Sequence, residues 1–194
     1  TGKPKGIMLS HGNISSNAES LVKAWGFQES DCLLHALPIY HVHGLFVALG
    51  CVFMTGSKLK WLESFDTDVV LKSIPECTVM MGVPTYYTRL LKRDLLDSKL
   101  TEGIRLFISG SAPLLEETFN EFNQRTNHQI LERYGMTETN MNTSNPLKGD
   151  RKPGTVGLPL EDVQVRVVDE ENNLLSQGEI GNIQIKGPNV FKGY

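Results

Sequence analysis

The chain has 194 residues, enough to bury a sizeable core in one large domain or one and a half. Its net charge of -3 comes without any basic run, which excludes nucleic acid as the expected partner. Three cysteines, Cys32, Cys51 and Cys77, are scattered through apolar segments without CxxC spacing, so they read as reduced core residues and not as a disulfide frame or a metal site.

The opening, Thr1-Gly2-Lys3-Pro4-Lys5-Gly6, sets two lysines among two glycines. Such a stretch can cradle a polyphosphate, although taken alone a solvated turn is the favoured reading and no GxxxxGK[ST] pattern is present. The chain starts inside this pattern without an initiator Met, so it reads as a piece of a longer protein. Asn13 is a candidate N-cap for a helix over 14–25. A short buried strand follows from Cys32 to Ala36 and ends at Pro38. His41 and His43 come next, two apart, on one face if the backbone is extended. No third ligand has sensible spacing, so a packed histidine pair is favoured over a metal. The apolar run Leu45 to Met54, about ten residues, is too short to span a bilayer and fits a buried helix.

The pattern then alternates. A strand at 58–62, a helix at 67–74 capped by Asp66 and a strand at 78–81 precede Gly82-Val83-Pro84, which opens a helix to Lys92. A strand at 104–108 leads into Ser109-Gly110-Ser111-Ala112-Pro113, then a helix at 115–125 and a strand from Gln129. Strand–helix repetition with apolar strands predicts an α/β fold, a mostly parallel sheet covered by helices. Each polar, glycine-bearing loop follows the C-terminal end of a strand, so four loops scattered in sequence are expected to meet at one cleft.

The last of these loops is the most informative. Tyr134-Gly135-Met136-Thr137-Glu138 packs an aromatic ring, a hydroxyl and a carboxylate into one turn. A ring can stack on a heterocycle, a hydroxyl can donate to a phosphate oxygen, and a carboxylate can hold a hard cation such as Mg²⁺. Spacing alone allows an equally simple alternative, a strand followed by a helix that Thr137 caps. After Pro146 a polar linker at 148–154 gives way to alternation at 163–168 and 180–185, with a turn at 170–173 between them. A small β-rich subdomain is therefore expected from about Gly154, the division falling between 1–150 and 151–194.

These motifs carry a resemblance that covers essentially all of the chain. Tyr134 to Glu138 resembles the signature loop of the adenylate-forming enzymes, and the run Glu132 to Pro146 is similar to the malonyl-CoA synthetase branch in particular. The resemblance implies that Tyr134 stacks on adenine, that Thr137 contacts the α-phosphate and that Glu138 coordinates Mg²⁺. It implies that Glu132, Arg133, Gly135 and Met136 belong to the ATP/AMP site with Gly110, Ser111 and Ala112 of the GSAPL loop. TGKPKG resembles the second half of the family's phosphate loop, implying pyrophosphate contacts from Thr1, Gly2, Lys3 and Lys5. The segment around His41 resembles the acyl-pocket motif, which makes His41 a gate and His43 a pocket residue. Arg89 aligns where the malonyl branch binds the distal carboxylate, and a guanidinium suits that two-pronged contact, although an arginine among Tyr86 and Tyr87 also suits a snorkelling surface residue. Met136 would lie near the acid's α-carbon.

The implied activity is that of an AMP-forming acid–thiol ligase, with ATP, Mg²⁺, coenzyme A and malonate or methylmalonate as the small-molecule set. The 151–194 segment becomes the start of a distorted β-barrel, and the mobile C-terminal domain lies beyond the chain, so this stretch alone is expected to be inactive. The alternatives are an adenylate former for another acid, or an ATP-binding module without catalysis. A cytoplasmic setting is expected, or the mitochondrial matrix in a eukaryote.

Overall fold

The computed structural model describes residues 4–194. Five short segments form parallel strands: β1 (Cys32–His35), β2 (Lys58–Trp61), β3 (Val79–Gly82), β4 (Leu106–Ser109) and β5 (Leu131–Met136), in the order β2-β1-β3-β4-β5. β6 (Asn140–Ser144) and β7 (Leu158–Pro159) extend this sheet antiparallel beyond β5, making seven strands. The central strands β3 and β4 are buried along their whole length, which is why they are apolar at successive positions instead of alternating.

Helices cover both faces. On one side α1 (His11–Trp25) and α2 (Leu49–Thr55) bring Leu21, Trp25 and Cys51 against Val79, Met81, Ile108 and Leu131. On the other, α3 (Thr67–Ser73), α4 (Pro84–Leu91) and α5 (Glu116–Thr126) place Leu71, Leu90 and Phe119 against Leu34, Met80 and Phe107. Tyr87, Phe107 and Phe122 meet edge to face in that second layer, Phe107 and Phe122 with ring centres 4.9 Å apart. Each such ring is worth about 1.5–3 kcal/mol by burial, and each pair about 0.5–1.5 kcal/mol more. A separate two-stranded sheet, β8 (Gln164–Val168) and β9 (Asn182–Lys186), occupies the end of the chain.

The N-terminal ends of the strands are closed by an ion pair between a buried Asp31 and a partly exposed Arg105. Arg105 Nη2 lies 2.6 Å from Asp31 Oδ2, and the same guanidinium donates to the carbonyls of Trp25 and Gly26. Asp31 also accepts from Thr78 Oγ1 and the Gln28 amide, and these contacts hold its carboxyl below the usual range against the opposing pull of burial.

The structure corrects several expectations. α1 begins at His11, because Ser10 is its cap and Asn13 closes a capping box from the third helical position. The 45–54 run is not one regular helix: a π-helical segment, His43–Ala48, precedes α2. Gly44 sits where a Cβ would overlap the Pro38 carbonyl, so the wider turn is wrapped tightly on that loop. No helix follows Tyr134. Thr137 lies in the tip of the β5–β6 hairpin, whose second strand the sequence did not announce. β7 still belongs to the large sheet, eight residues past the linker boundary expected at 150–151. The cysteines are free, with the Sγ atoms of Cys32 and Cys77 3.9 Å apart. Among the described residues no helix is long and apolar enough to cross a membrane.

Candidate functional site

Parallel strands aim the loops that leave their C-terminal ends at one edge, and here that edge gathers the predicted motifs. From β1 comes the loop to His41 and His43, from β4 the turn 110–113, and from β5 the hairpin tip 136–139. Ser111 adopts a left-handed backbone, φ 67°, which lifts its side chain towards the histidines. Its hydroxyl oxygen lies 3.2 Å from His43 Nδ1, tying the β4 loop to the π-helical segment. His41 is exposed, and its Nδ1 accepts from the His43 amide at 3.4 Å. Among the described residues no cluster of three or more His, Cys, Asp and Glu side chains could hold a metal ion; of the two histidines, His43 is buried and His41 is exposed.

Two hollows flank this junction. One, about 400 Å³, is lined by Ser111, Ala112, Pro113, Glu132, Arg133, Tyr134, Gly135, Gly154 and Val156. Tyr134 presents a half-buried ring there, suited to stacking on a flat heterocycle. Glu132 shapes this hollow instead of facing into it freely: its carboxylate accepts from the amides of Leu114 at 3.3 Å and Gly154 at 3.1 Å. Burial raises its pKa, and those two amides oppose the rise. The second hollow, about 230 Å³, is lined by His41, Val42, His43, Ser111, Arg133, the 135–138 tip and Met141. Wider hollows of about 450 and 640 Å³ lie at β8–β9 and between Pro75 and Gly103, away from the strand ends.

The hairpin tip depends on Gly135. A β-bulge falls between Tyr134 and Gly135, and a Cβ at Gly135 would overlap the Asn140 carbonyl. Thr137 is therefore presented exposed and Glu138 half-buried at the rim, beside an exposed Met136. The C-terminal segment reinforces the tip. Phe191 donates its amide to the Glu138 carbonyl, and Tyr194 Oη donates to Glu138 Oε1 at 3.0 Å. Lys5 Nζ sits 4.8 Å from the centre of the Tyr194 ring, and Met8 pairs its backbone with 192–193. The lysine-rich opening thereby reaches the same rim through Lys5. Thr1, Gly2 and Lys3 lie outside the described residues.

Two histidines and an arginine are buried at this edge with ring or guanidinium nitrogens that have no partner: His35, His43 at Nε2, and Arg133 at Nε and Nη2. Burial pulls His35 down to about 4 and His43 well below the ordinary value, the latter further lowered by Arg133, so both rings are neutral at pH 7. Burial likewise lowers Arg133 to about 10, which leaves it cationic. Arg89 stands apart. It is exposed, with its guanidinium 5.6 Å from the Phe65 ring centre, and lines neither hollow. Sequence reasoning did not foresee His35, Tyr194 or the Gly154–Val156 wall. Only the last had a signal, the glycine-rich run after the linker.

A family model, AMP-binding enzyme, matches residues 1–194. A malonate–CoA ligase of Arabidopsis thaliana is 37% identical over 214 residues, covering 100% of this chain and 35% of the relative. MatB from Rhodopseudomonas palustris, solved with ATP bound, superposes with a TM-score of 0.98 at 55% identity, over 100% of this chain and 39% of that one. A malonyl-CoA ligase, solved as a ternary product complex with methylmalonyl-CoA and AMP, gives a TM-score of 0.90 at 36% identity, over 100% and 43%. The chain thus spans well under half the length of the proteins it matches.

Proposed function

The chain belongs to the AMP-binding enzyme family, and from that premise we propose that it forms the adenylating core of an ATP-dependent malonyl-CoA synthetase. The observation that carries this reading is the meeting of Tyr134, Thr137, Glu138, Ser111 and the two histidines at one strand edge, in a chain 55% identical to the ATP-bound MatB. In the reaction proposed, a malonate carboxylate oxygen attacks the α-phosphorus of ATP and pyrophosphate leaves. The coenzyme A thiol then adds to the acyl carbon and AMP departs, leaving the thioester.

The roles divide between the hollows. Adenine stacks on Tyr134 along the Gly110, Ser111 and Ala112 turn, which Glu132 ties to the Gly154 segment by accepting from the amides of Leu114 and Gly154. Thr137 donates to the α-phosphate at the rim. Lys5, with Thr1, Gly2 and Lys3, faces the pyrophosphate. His41, His43 and Met136 border the acid. Mg²⁺ suits the Glu138 rim: one carboxylate oxygen is engaged by Tyr194, the other meets no described residue, and Mg²⁺ is commonly held by one or two carboxylates plus phosphate oxygens. When bound, that ion would offset charge building on the phosphates. Methylmalonate, and the start of a β-barrel in the 151–194 segment, complete the proposal. Three free cysteines support a reducing compartment, cytoplasm or mitochondrial matrix.

The test is acid-dependent ATP–pyrophosphate exchange by a full-length enzyme carrying this chain, with malonate, methylmalonate, acetate and a medium-chain fatty acid. Exchange with malonate and little with acetate or the fatty acid is expected. Exchange driven only by the fatty acid, or by none of the acids, would contradict the reading.

A further inference from the structure

The sheet brings Cys32 and Cys77 together although 45 positions separate them in the chain. Cys32 opens β1. Cys77 follows a single 3₁₀ turn, Ile74–Glu76, and leads into β3, the strand beside β1. Their Sγ atoms are 3.9 Å apart, in van der Waals contact, within the layer that also holds Leu34, Ile74 and Met80. Two hydrogen bonds fix this approach: the Thr78 amide donates to the Cys32 carbonyl at 2.9 Å, and the Cys32 amide donates to Thr78 Oγ1 at 2.9 Å. A disulfide requires sulfurs about 2 Å apart. With the backbones already paired, closing that gap is left to rotation of the two side chains.

The pair is asymmetric in a way that suits stepwise oxidation. Cys32 is partly exposed, whereas Cys77 is 2% exposed. A small oxidant therefore reaches Cys32 first and finds Cys77 behind it as the resolving thiol. Burial, and after it the neighbouring Cys32, push Cys77 up to about 12, so it stays protonated until the adjoining sulfur has become electrophilic. On the solvent side the Lys60 ammonium lies 2.8 Å from Glu76 Oε2 and close enough to both thiols to favour a thiolate there. Cys51 is the contrast. It is fully buried in α2, in the opposite layer of the sheet, and burial alone holds its thiol far above the ordinary range.

We propose that Cys32 and Cys77 form a reversible oxidation site, which a peroxide converts to a disulfide clipping β1 to β3 at the strand ends remote from the cleft. The Cys32 sulfur attacks one peroxide oxygen and the O–O bond breaks. The departing hydroxide takes the thiol proton and becomes water, leaving Cys32 as a sulfenic acid. The Cys77 sulfur then attacks the Cys32 sulfur, the S–S bond forms and the S–O bond breaks, and hydroxide leaves with the Cys77 proton as a second water. Two thiols lose two electrons and one peroxide gains them. A dithiol reductant reverses the step by exchange and ends as its own disulfide. In a reducing compartment the pair rests as two thiols, and the clip forms under oxidant.

The experiment treats the full-length enzyme carrying this chain with hydrogen peroxide, alkylates the remaining thiols after denaturation, and maps the peptides without reductant. Wild type, Cys32→Ser and Cys77→Ser are compared. Wild type is expected to give one peptide pair joined through Cys32 and Cys77, lighter by two hydrogens than its parts and separated by dithiothreitol, with Cys51 alkylated in full. Cys32→Ser should leave Cys77 alkylated, because the buried thiol is not reached directly. Cys77→Ser should let Cys32 run on to the sulfinic acid, for want of a resolving partner. The oxidised wild type should also unfold at a higher urea concentration than the reduced protein, since the clip restricts the unfolded chain, and both variants should lack that shift. Should a serine variant fail to fold, the wild-type map and the urea shift decide alone. Full alkylation of both cysteines after peroxide would overturn the inference. So would a wild-type Cys32 found as sulfinic acid beside a reduced Cys77, a link from Cys32 to another chain, or an oxidised protein with no gain in urea resistance.

Discussion

Two arginines at opposite ends of the same strands show how one sheet separates stability from function. At the N-terminal ends, Arg105 meets Asp31 and two carbonyls, and Asp31 in turn meets Thr78 and the Gln28 amide. At the C-terminal ends, Arg133 is buried more deeply and meets no acceptor. The first group is a finished network that fixes the entry to β1, β3 and β4. The second is an unfinished one, at the edge where an α/β sheet presents its loops to a ligand. A fold can carry such an unsatisfied cation when the rest of the core is well packed.

The contrast breaks first at Asp31. Asp31→Leu strands Arg105 and should destabilise the protein by about 3–5 kcal/mol, read as a lower urea midpoint, while malonate KM in the folded enzyme stays near wild type. His35 gives the next largest effect. Its folded pKa of about 4 lies below the ordinary 6.5, so between those values the unfolded chain binds the extra proton and stability falls as pH falls. The full shift amounts to at most about 3 kcal/mol. His35→Phe should flatten the stability profile over that window, and an unchanged slope would count against a neutral buried ring. Gly110→Ala pushes a methyl into the Arg133 guanidinium. It should cost about 1–3 kcal/mol of stability by overpacking, read as a lower urea midpoint. The smallest effect is expected from Tyr134→Ala, which removes a stacking ring and should raise the KM for ATP about tenfold while leaving malonate discrimination intact.

The repeating strands and helices were legible because their apolar runs are separated by clear breaks, Pro38, Asp66 and Pro84 among them. The strand-end rule then located the cleft from loops far apart in sequence. β6 was not legible, and the reason is physical. Asn140 to Ser144 is almost wholly polar, yet every residue in it is buried. Most of its polarity is met from elsewhere: Asn17 brackets the Met141 backbone, Trp25 Nε1 donates to Ser144 Oγ, and Asn189 reaches Asn142, while the Asn140 side-chain amide is left without a partner. Polarity in a single sequence reads as exposure, and only the fold reveals these partners. Arg133 lines the hollow beside Tyr134, as its place in the motif implied, but the lack of an acceptor for its guanidinium emerges only from packing on Gly110. Asn13, named as a cap, is a partner of the true cap Ser10 one turn earlier, and both residue types are capping-competent.

The most direct measurement compares malonate with malonamate, its half-amide, as substrates for the wild-type enzyme. The two have nearly the same shape and differ in the charge of the distal group. The proposed malonyl-CoA synthetase activity predicts kcat/KM for malonate about 100-fold or more above malonamate. Comparable use of both acids would show that no charge is read at the end of the pocket, and would contradict the account of this strand edge.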